Sequence, residues 1–248
     1  MAGHSKWSNI KHRKGAQDAK RGKLFTKLGK ELTIAAKEAG GDPNFNPRLR
    51  LAIDKAKAAN MPKDNLERAI KKGTGELDGV DYMEIRYEGY GPEGTAFIVE
   101  VVTDNKNRSA SEVRATFSRR NGNLGTDGAV SWMFQRKGEI IVAAEGVDAD
   151  ELMMAALEAG AEDVKEEDGE FTVLTDSADC NRVAEELKKA GYNVTEAEVA
   201  MIPDNKVQIT DLETAKKVMA LYEGLDDLDD VNDVYSNFDI SDELLEQL

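Results

Sequence analysis

The chain has 248 residues, of which 40% are hydrophobic, 33% charged and 6% aromatic, and its formal net charge is −15. This length admits one large domain or two to three small ones, and so high a charged fraction implies small cores under much solvated surface. A lone cysteine, Cys180, excludes a disulfide framework and fits a reducing, cytoplasmic-type compartment, while the lack of any run of about 18 apolar residues excludes an ordinary membrane-spanning helix.

The first stretch is "MAGHSKWSNIKHRKGAQDAKRGKLFTKLGK", with ten lysines and arginines before residue 38 against Asp18 and Glu31. Residues 1–75 hold 18 Lys and Arg and 7 Asp and Glu, and the other residues hold 15 and 41. That polarity points to a polyanionic partner for the basic part, with the acidic remainder turned away from it. Residues 1 to about 20 have almost no apolar period and read as a projecting arm.

Next, "KLFTKLGKELTIAAKEAGG" puts Leu24, Phe25, Leu28, Leu32, Ala35 and Ala36 at helical spacing and stops at Gly40-Gly41. A second helix, "PRLRLAIDKAKAAN", opens on Pro47. A third, "PKDNLERAIKKG", buries Leu66 and Ile70 and ends on Lys71 and Lys72. "GTGELDGVD" reads as a linker. Strand-like runs follow: "TAFIVEVVT", "AVSWMFQ", "GEIIVAA", "EFTVLT", "NVTEAEVAMI", "KVQIT" and "VYSNFDI", with "AEDV" as a weak addition. Helices alternate with them, among them "RSASEVRATFSRR", with a capping-box pair at Ser109 and Glu112.

The order predicts an α+β chain: an N-terminal three-helix domain, then two split-βαβ, ferredoxin-like α+β domains, one inserted in the other. The expected boundaries are 1–77 for the basic arm and helices, 78–137 plus 204–248 for the discontinuous domain, and 138–203 for the insert.

Several motifs invite chemistry that their context denies. "GYGPEG" matches G-x-G-x-x-G, but it precedes a strand rather than a helix, so a turn between two strands is expected instead of a dinucleotide site. His4 and His12 lack neighbouring ligands for a metal. Cys180 falls at core spacing with Val183 and Leu187, far from any imidazole that would activate it. "DDLDDVND" lacks the glycine and twelfth-position glutamate of an EF-hand and reads as a solvated connection. No catalytic residue, metal, cofactor or small-molecule substrate is expected.

The binding candidates are Lys6, Trp7, Lys11, His12, Arg13, Lys14, Lys20, Arg21, Lys23, Lys27 and Lys30, joined by Arg48 and Arg50 of the second helix. Cations neutralise phosphates and release counterions, and an indole or imidazole can stack on an unpaired base. The competing view of this segment is a solvated tail whose Trp7 docks on the helices. "DNKNRSASEVRATFSRRNGNLG" forms a second basic island through Lys106, Arg108, Arg114, Arg119 and Arg120. It is either a second contact with the same polyanion or a solvated helix followed by a glycine turn.

"MAGHSKWSNIKHRKGAQDAKRGKLFTKL", "NPRLRLAIDKAKAANMPKDNLERAIKKGTGE", "YEGYGPEGTA", "TDNKNRSASEVRATFSRRNGNLGTDGAVSWMF" and "RKGEI" closely resemble the YebC family. That family includes PmpR-type transcriptional regulators and a mitochondrial translational activator of cytochrome oxidase. The resemblance implies a three-domain α+β protein without enzymatic activity that acts in gene expression. Its members are described as DNA-binding transcriptional regulators, or alternatively as ribosome-associated factors that assist synthesis through proline-rich stretches. The partner implied is therefore DNA or ribosomal RNA. Two departures stand out: Glu93, where the family turn usually has glycine, and Asn121, where it usually has a second glycine.

Overall fold

The structure, a computed structural model, describes residues 17–167 and 169–248. Two compact units are present among the described residues: Gln135–Ile202, and the other described residues before and after it.

The larger unit begins with α1 (Gln17–Ala39), α2 (Pro47–Ala58) and α3 (Lys63–Gly73). α1 starts before the apolar period does, because its first turns are built from polar helix formers such as Gln17, Lys20 and Arg21. Leu28, Leu32, Ala35 and Ala36 of α1 share a core with Leu49, Ala52, Ile53 and Ala56 of α2. From α3 it is Ala69 that is fully buried there, whereas Leu66 and Ile70, expected inside, lie at the margin. The two helices approach too closely for larger groups. A Cβ on Gly73 would lie 2.2 Å from the Thr33 carbonyl oxygen, and the Thr33 hydroxyl donates to the Ala69 carbonyl at 3.1 Å. Asn46 joins α1 to α2. Its Oδ1 accepts from the Leu49 N–H, and its Nδ2 donates to the carbonyls of Ala35 and Gly40.

β1 (Met83–Tyr90) and β2 (Ala96–Thr103) form an antiparallel hairpin in which Tyr90 pairs with Ala96. "GYGPEG" is its turn, tightened by a 3₁₀ segment at Pro92–Gly94. α4 (Lys106–Arg119) and the two-residue β3 (Asn123–Leu124) follow. The cap of α4 is Asn105, whose side chain accepts from the Arg108 N–H. The expected cap, Ser109, lies inside the helix and is buried.

The smaller unit contains β4 (Phe134–Ala143), α5 (Ala149–Ala159), β5 (Asp163–Glu167), β6 (Glu170–Asp176), α6 (Cys180–Lys189) and β7 (Val194–Pro203). Its sheet order is β5-β6-β4-β7, the arrangement of a split βαβ fold. Cys180 opens α6 fully buried, and its thiol donates to the Glu198 carbonyl at 3.3 Å. Burial pushes the thiol up to about 12, so it stays protonated and unreactive at neutral pH.

The chain then returns as β8 (Val207–Ile209), α7 (Leu212–Asp226), β9 (Val231–Ser236), β10 (Phe238–Ile240) and the short α8 (Asp242–Leu245). The main sheet is ordered β3-β1-β2-β9. α4 carries the chain from β2 to β3 with β1 between them, so this half has the expected split crossover. The pairing of the outer halves differs from expectation, since β9 alone joins the main sheet and β8 pairs in parallel with β10. Asn237 explains the break. Its side chain accepts from the Ala96 N–H at 2.8 Å and its carbonyl from the Val207 N–H, so the strand leaves one sheet for the other at that residue. "AVSWMFQ" is also not one strand: Ser131–Met133 is a 3₁₀ turn, and the strand begins at Phe134.

One face of the main sheet packs Phe97, Val99 and Val101 against Val113 and Phe117 of α4 and Val218, Leu221, Tyr222 and Leu225 of α7. The Phe97 and Phe117 rings meet edge to face at 6.2 Å. α4 and α7 thereby lie side by side, which brings residues about a hundred positions apart into one surface.

Two substitutions check these backbone constraints. Glu93 sits at φ 57°, in the left-handed region, with its side chain exposed. Glu93→Gly is expected to raise stability by about 0.5–1 kcal/mol in denaturant unfolding, since relieved strain exceeds the added freedom of the unfolded chain. Gly73→Ala is expected to lower it by about 1–3 kcal/mol, because the methyl group would press on the α1 backbone.

Candidate nucleic-acid interface

The arm residues Lys6, Trp7, Lys11, His12, Arg13 and Lys14 lie outside the described residues, and Lys20 falls in the first turn of α1. The other candidates separate into cations this chain holds for itself and cations it leaves unpaired.

Lys23, Lys27 and Lys30 stand at spacings of four and three, on one face of α1. That face meets the C-terminal end of α7. Lys23 Nζ donates to the Asp227 carbonyl at 3.0 Å, and Lys27 Nζ to both the carbonyl and the carboxylate of Asp226 at 2.8 Å. Carbonyls at a helix C-terminus carry the negative end of its dipole, which makes them suitable acceptors for an ammonium. Lys30 is buried, at 9% exposure. It donates to Asp230 Oδ1 at 2.9 Å, to the Asp229 carbonyl at 2.8 Å and to the Val102 carbonyl at 3.2 Å.

Asp230 is equally buried and fully used. Its Oδ2 accepts from Arg108 Nη2 at 2.7 Å, Ser109 Oγ at 2.8 Å and Thr103 Oγ1 at 3.0 Å. Burial alone would raise its pKa, but the Lys30, Arg108 and Ser109 hydrogen bonds outweigh that and hold it at about 2. The acidic run 226–233 is therefore not merely a solvated connection. It is the counter-charge of α1, and it closes the three-helix segment against the sheet.

Arg48 is spent in the same way. Its guanidinium bridges Glu31 at 2.8 Å and Glu38 at 2.9 Å and also pairs with Glu84. Although burial works in the opposite direction, the hydrogen bonds to Glu84 and Glu31 raise its pKa further. Arg50 Nε donates to the Pro43 carbonyl. Arg108, expected at a second contact, is tied to Asp230 and Asp104. Lys27, Lys30, Arg48 and Arg108 thus serve internal ion pairs.

Arg21 is exposed and lies over the Phe25 ring at 5.5 Å. Lys106, Arg114, Arg119 and Arg120 are exposed on α4 and its C-terminal end. Among the described residues no side-chain hydrogen bond or ion pair holds any of these four.

The sequence reading missed Trp132. It is 70% exposed on the 3₁₀ turn, with its indole N–H donated to the Ala129 carbonyl at 3.1 Å. The loop beneath it is pinned by Glu88. This buried carboxylate accepts from the N–H groups of Gly128, Val130 and Ser131 at 3.1, 2.8 and 2.8 Å. Burial favours protonation of Glu88, but those backbone bonds prevail and keep its pKa below the usual glutamate value. An aromatic ring held in the open by a fixed loop can stack on a planar ligand.

Two family models match the chain: "TACO1/YebC protein N-terminal domain" over residues 5–76, and "TACO1/YebC second and third domain" over residues 82–238. The chain belongs to the TACO1/YebC family. A probable transcriptional regulatory protein of Fusobacterium nucleatum is 75% identical over the full length of both chains. One from Geobacter sulfurreducens is 59% identical, again over all of both chains. The crystal structure of a conserved hypothetical protein from Aquifex aeolicus superposes with a TM-score of 0.85 at 49% identity, covering 95% of this chain and 97% of that one. No helix among the described residues of this TACO1/YebC protein is long and apolar enough to cross a membrane.

Removing the central carboxylate tests the internal role of these cations. Asp230→Ala would leave the Lys30 ammonium buried and unpaired, and is expected to cost about 3–5 kcal/mol in denaturant unfolding. Because the folded pKa of Asp230 is depressed, its contribution is complete above the unfolded value near 4 and is lost as pH falls towards 2. Acid unfolding curves of the wild type and of Asp230→Asn should therefore converge at the bottom of that window.

Proposed function

We propose that this chain is a non-enzymatic, nucleic-acid-binding regulator of gene expression. On this reading it acts in transcription by binding DNA, as the names of its relatives suggest for them. The carrying observation is the division of its cations. In a chain of net charge −15 that spends Lys27, Lys30, Arg48 and Arg108 on its own carboxylates, the α4 surface keeps Lys106, Arg114, Arg119 and Arg120 exposed with no side-chain hydrogen bond or ion pair to another described residue, and the sequence adds the cations of its N-terminal stretch. Unneutralised cations on an acidic body attract a polyanion there and repel it elsewhere, which orients as well as binds. Binding rather than catalysis is also favoured by the raised pKa of the buried Cys180 thiol.

Trp132 favours a second reading, a ribosome-associated translation factor bound to ribosomal RNA. Unpaired bases, frequent in folded RNA and scarce in duplex DNA, are the natural partners of an exposed, fixed indole.

Titration of fluorescent duplex DNA and of a structured RNA with the full chain, at several salt concentrations, tests both. If about six phosphates are neutralised on duplex DNA, log K falls against log salt with a slope near −5. Glutamate at Lys11, Arg13 and Lys14 together should abolish most of the affinity with the fold intact, and unchanged binding would reject the arm's role. Co-sedimentation with ribosomes at moderate salt, lost on Trp132→Ala, supports the RNA reading; promoter footprints without ribosome association support the DNA reading.

A further inference from the structure

We infer that the cleft between the C-terminal end of α4 and the outer face of α7 is a phosphate-binding site for the nucleic-acid backbone. Arg119, Arg120 and Asn121 line one wall, and Lys216, Lys217 and Glu213 the other, around an open volume of about 320 Å³. This inference rests on the nucleic-acid reading above and moves part of the contact from the N-terminal arm to the body of the protein.

Three observations carry it. The first is convergence. Arg119 and Arg120 end one helix, Lys216 and Lys217 sit in the second turn of another, and the core seats the two helices side by side. Ala215, Val218, Met219 and Tyr222 face that core, so 213, 216, 217 and 220 necessarily share the outward face.

The second is the lack of direct pairing, although Lys217 also interacts electrostatically with the Asp211 carboxylate. Lys23, Lys27, Lys30, Arg48 and Arg108 all reach carbonyls or carboxylates of this chain. No hydrogen bond or ion pair to another described residue holds the side chains of the four cleft cations, and Glu213 is the single carboxylate in the lining. Four clustered like charges repel one another, a cost that bound phosphate would relieve.

The third is the fixed geometry of the α4 wall. Asn121 adopts φ 59°, and the Gly122 N–H donates back to the Phe117 carbonyl at 2.8 Å, so the chain turns sharply just after Arg120. A Cβ on Gly122 would press on Phe117 and Leu221 at 2.9 and 3.0 Å, which locks the turn against the core. The two arginines are therefore presented from a rigid corner rather than from a loose loop. Guanidinium groups bind phosphate oxygens in a fork, and the lysines opposite add point charges.

The test compares Lys216→Glu/Lys217→Glu with Lys165→Glu/Lys188→Glu, an equal change in net charge placed in the smaller unit. Both pairs are surface residues, so circular dichroism should show both variants folded. Against the same duplex DNA and structured RNA, the cleft variant should bind at least tenfold more weakly than wild type, with a salt slope shallower by roughly one or more. The control should lose less than threefold. Bound nucleic acid should also protect Lys216 and Lys217 from acylation in the wild type.

Equal losses in both variants, or none in either, would overturn the cleft assignment while leaving a nucleic-acid-binding wild type, and hence the broader function, in place. Failure of the wild type to bind either nucleic acid would sink both. Calorimetry with inorganic phosphate and pyrophosphate separates the remaining source. Tight binding of these, lost in the cleft variant while its nucleic-acid affinity is unchanged, would reassign the cleft to a free phosphorylated ligand.

Discussion

The buried pairing of Lys30 with Asp230 holds the larger unit together. Removing two charges from water is costly, and the cost is offset here because Lys30 meets three acceptors and both carboxylate oxygens of Asp230 accept, Oδ1 from Lys30 and Oδ2 from Arg108, Ser109 and Thr103. The bond spans 200 residues of sequence and ties α1 to the segment between α7 and β9. Lys23 and Lys27 extend the contact to the end of α7, where the helix dipole and the acidic run provide negative potential. The helical segment is docked by charge as much as by apolar packing.

That docking changes what the basic N-terminal third means. Its lysines and arginines are not one population with one purpose. Lys27 and Lys30 on the inward face of α1, together with Arg48, neutralise carboxylates of the same chain, Lys23 beside them binds a carbonyl, and the acidity of the later sequence exists partly to receive them. The surplus left for a partner is smaller than residue counting suggests, and among the described residues it includes the α4–α7 surface and exposed cations of α2 and α3 such as Lys57, Arg68, Lys71 and Lys72. The basic N-terminal stretch and the α4–α7 surface differ in kind. The arm precedes the first apolar repeat, whereas the cleft cations stand on helices seated in the core.

Much of the architecture was legible because it is written in local periodicity. The three helices, the "GYGPEG" turn, the core placement of Cys180 and the inserted split βαβ unit follow from apolar spacing and from the positions of glycine and proline. What misled was any feature settled by distant partners. "AVSWMFQ" has strand composition, yet the Glu88 carboxylate gathers the backbone N–H groups before it and turns the chain at Ser131–Met133. "VYSNFDI" reads as one strand, yet Asn237 bonds to Ala96 and Val207 and divides it between two sheets. Ser109 has the spacing of a cap, yet the buried Asp230 draws its hydroxyl inside.

The candidate site shows the same division. By itself the sequence determined the polarity of charge, the helical faces and the family, since composition, period and motif are properties of neighbouring residues. Only the tertiary structure decided which cations are spent and which are spare, because neutralisation depends on what lies within about 4 Å, and those groups come from the far end of the chain. Lys30 and Lys217 are indistinguishable as letters. One is buried against an aspartate 200 residues away, and the other stands in a cleft with three further unpaired cations.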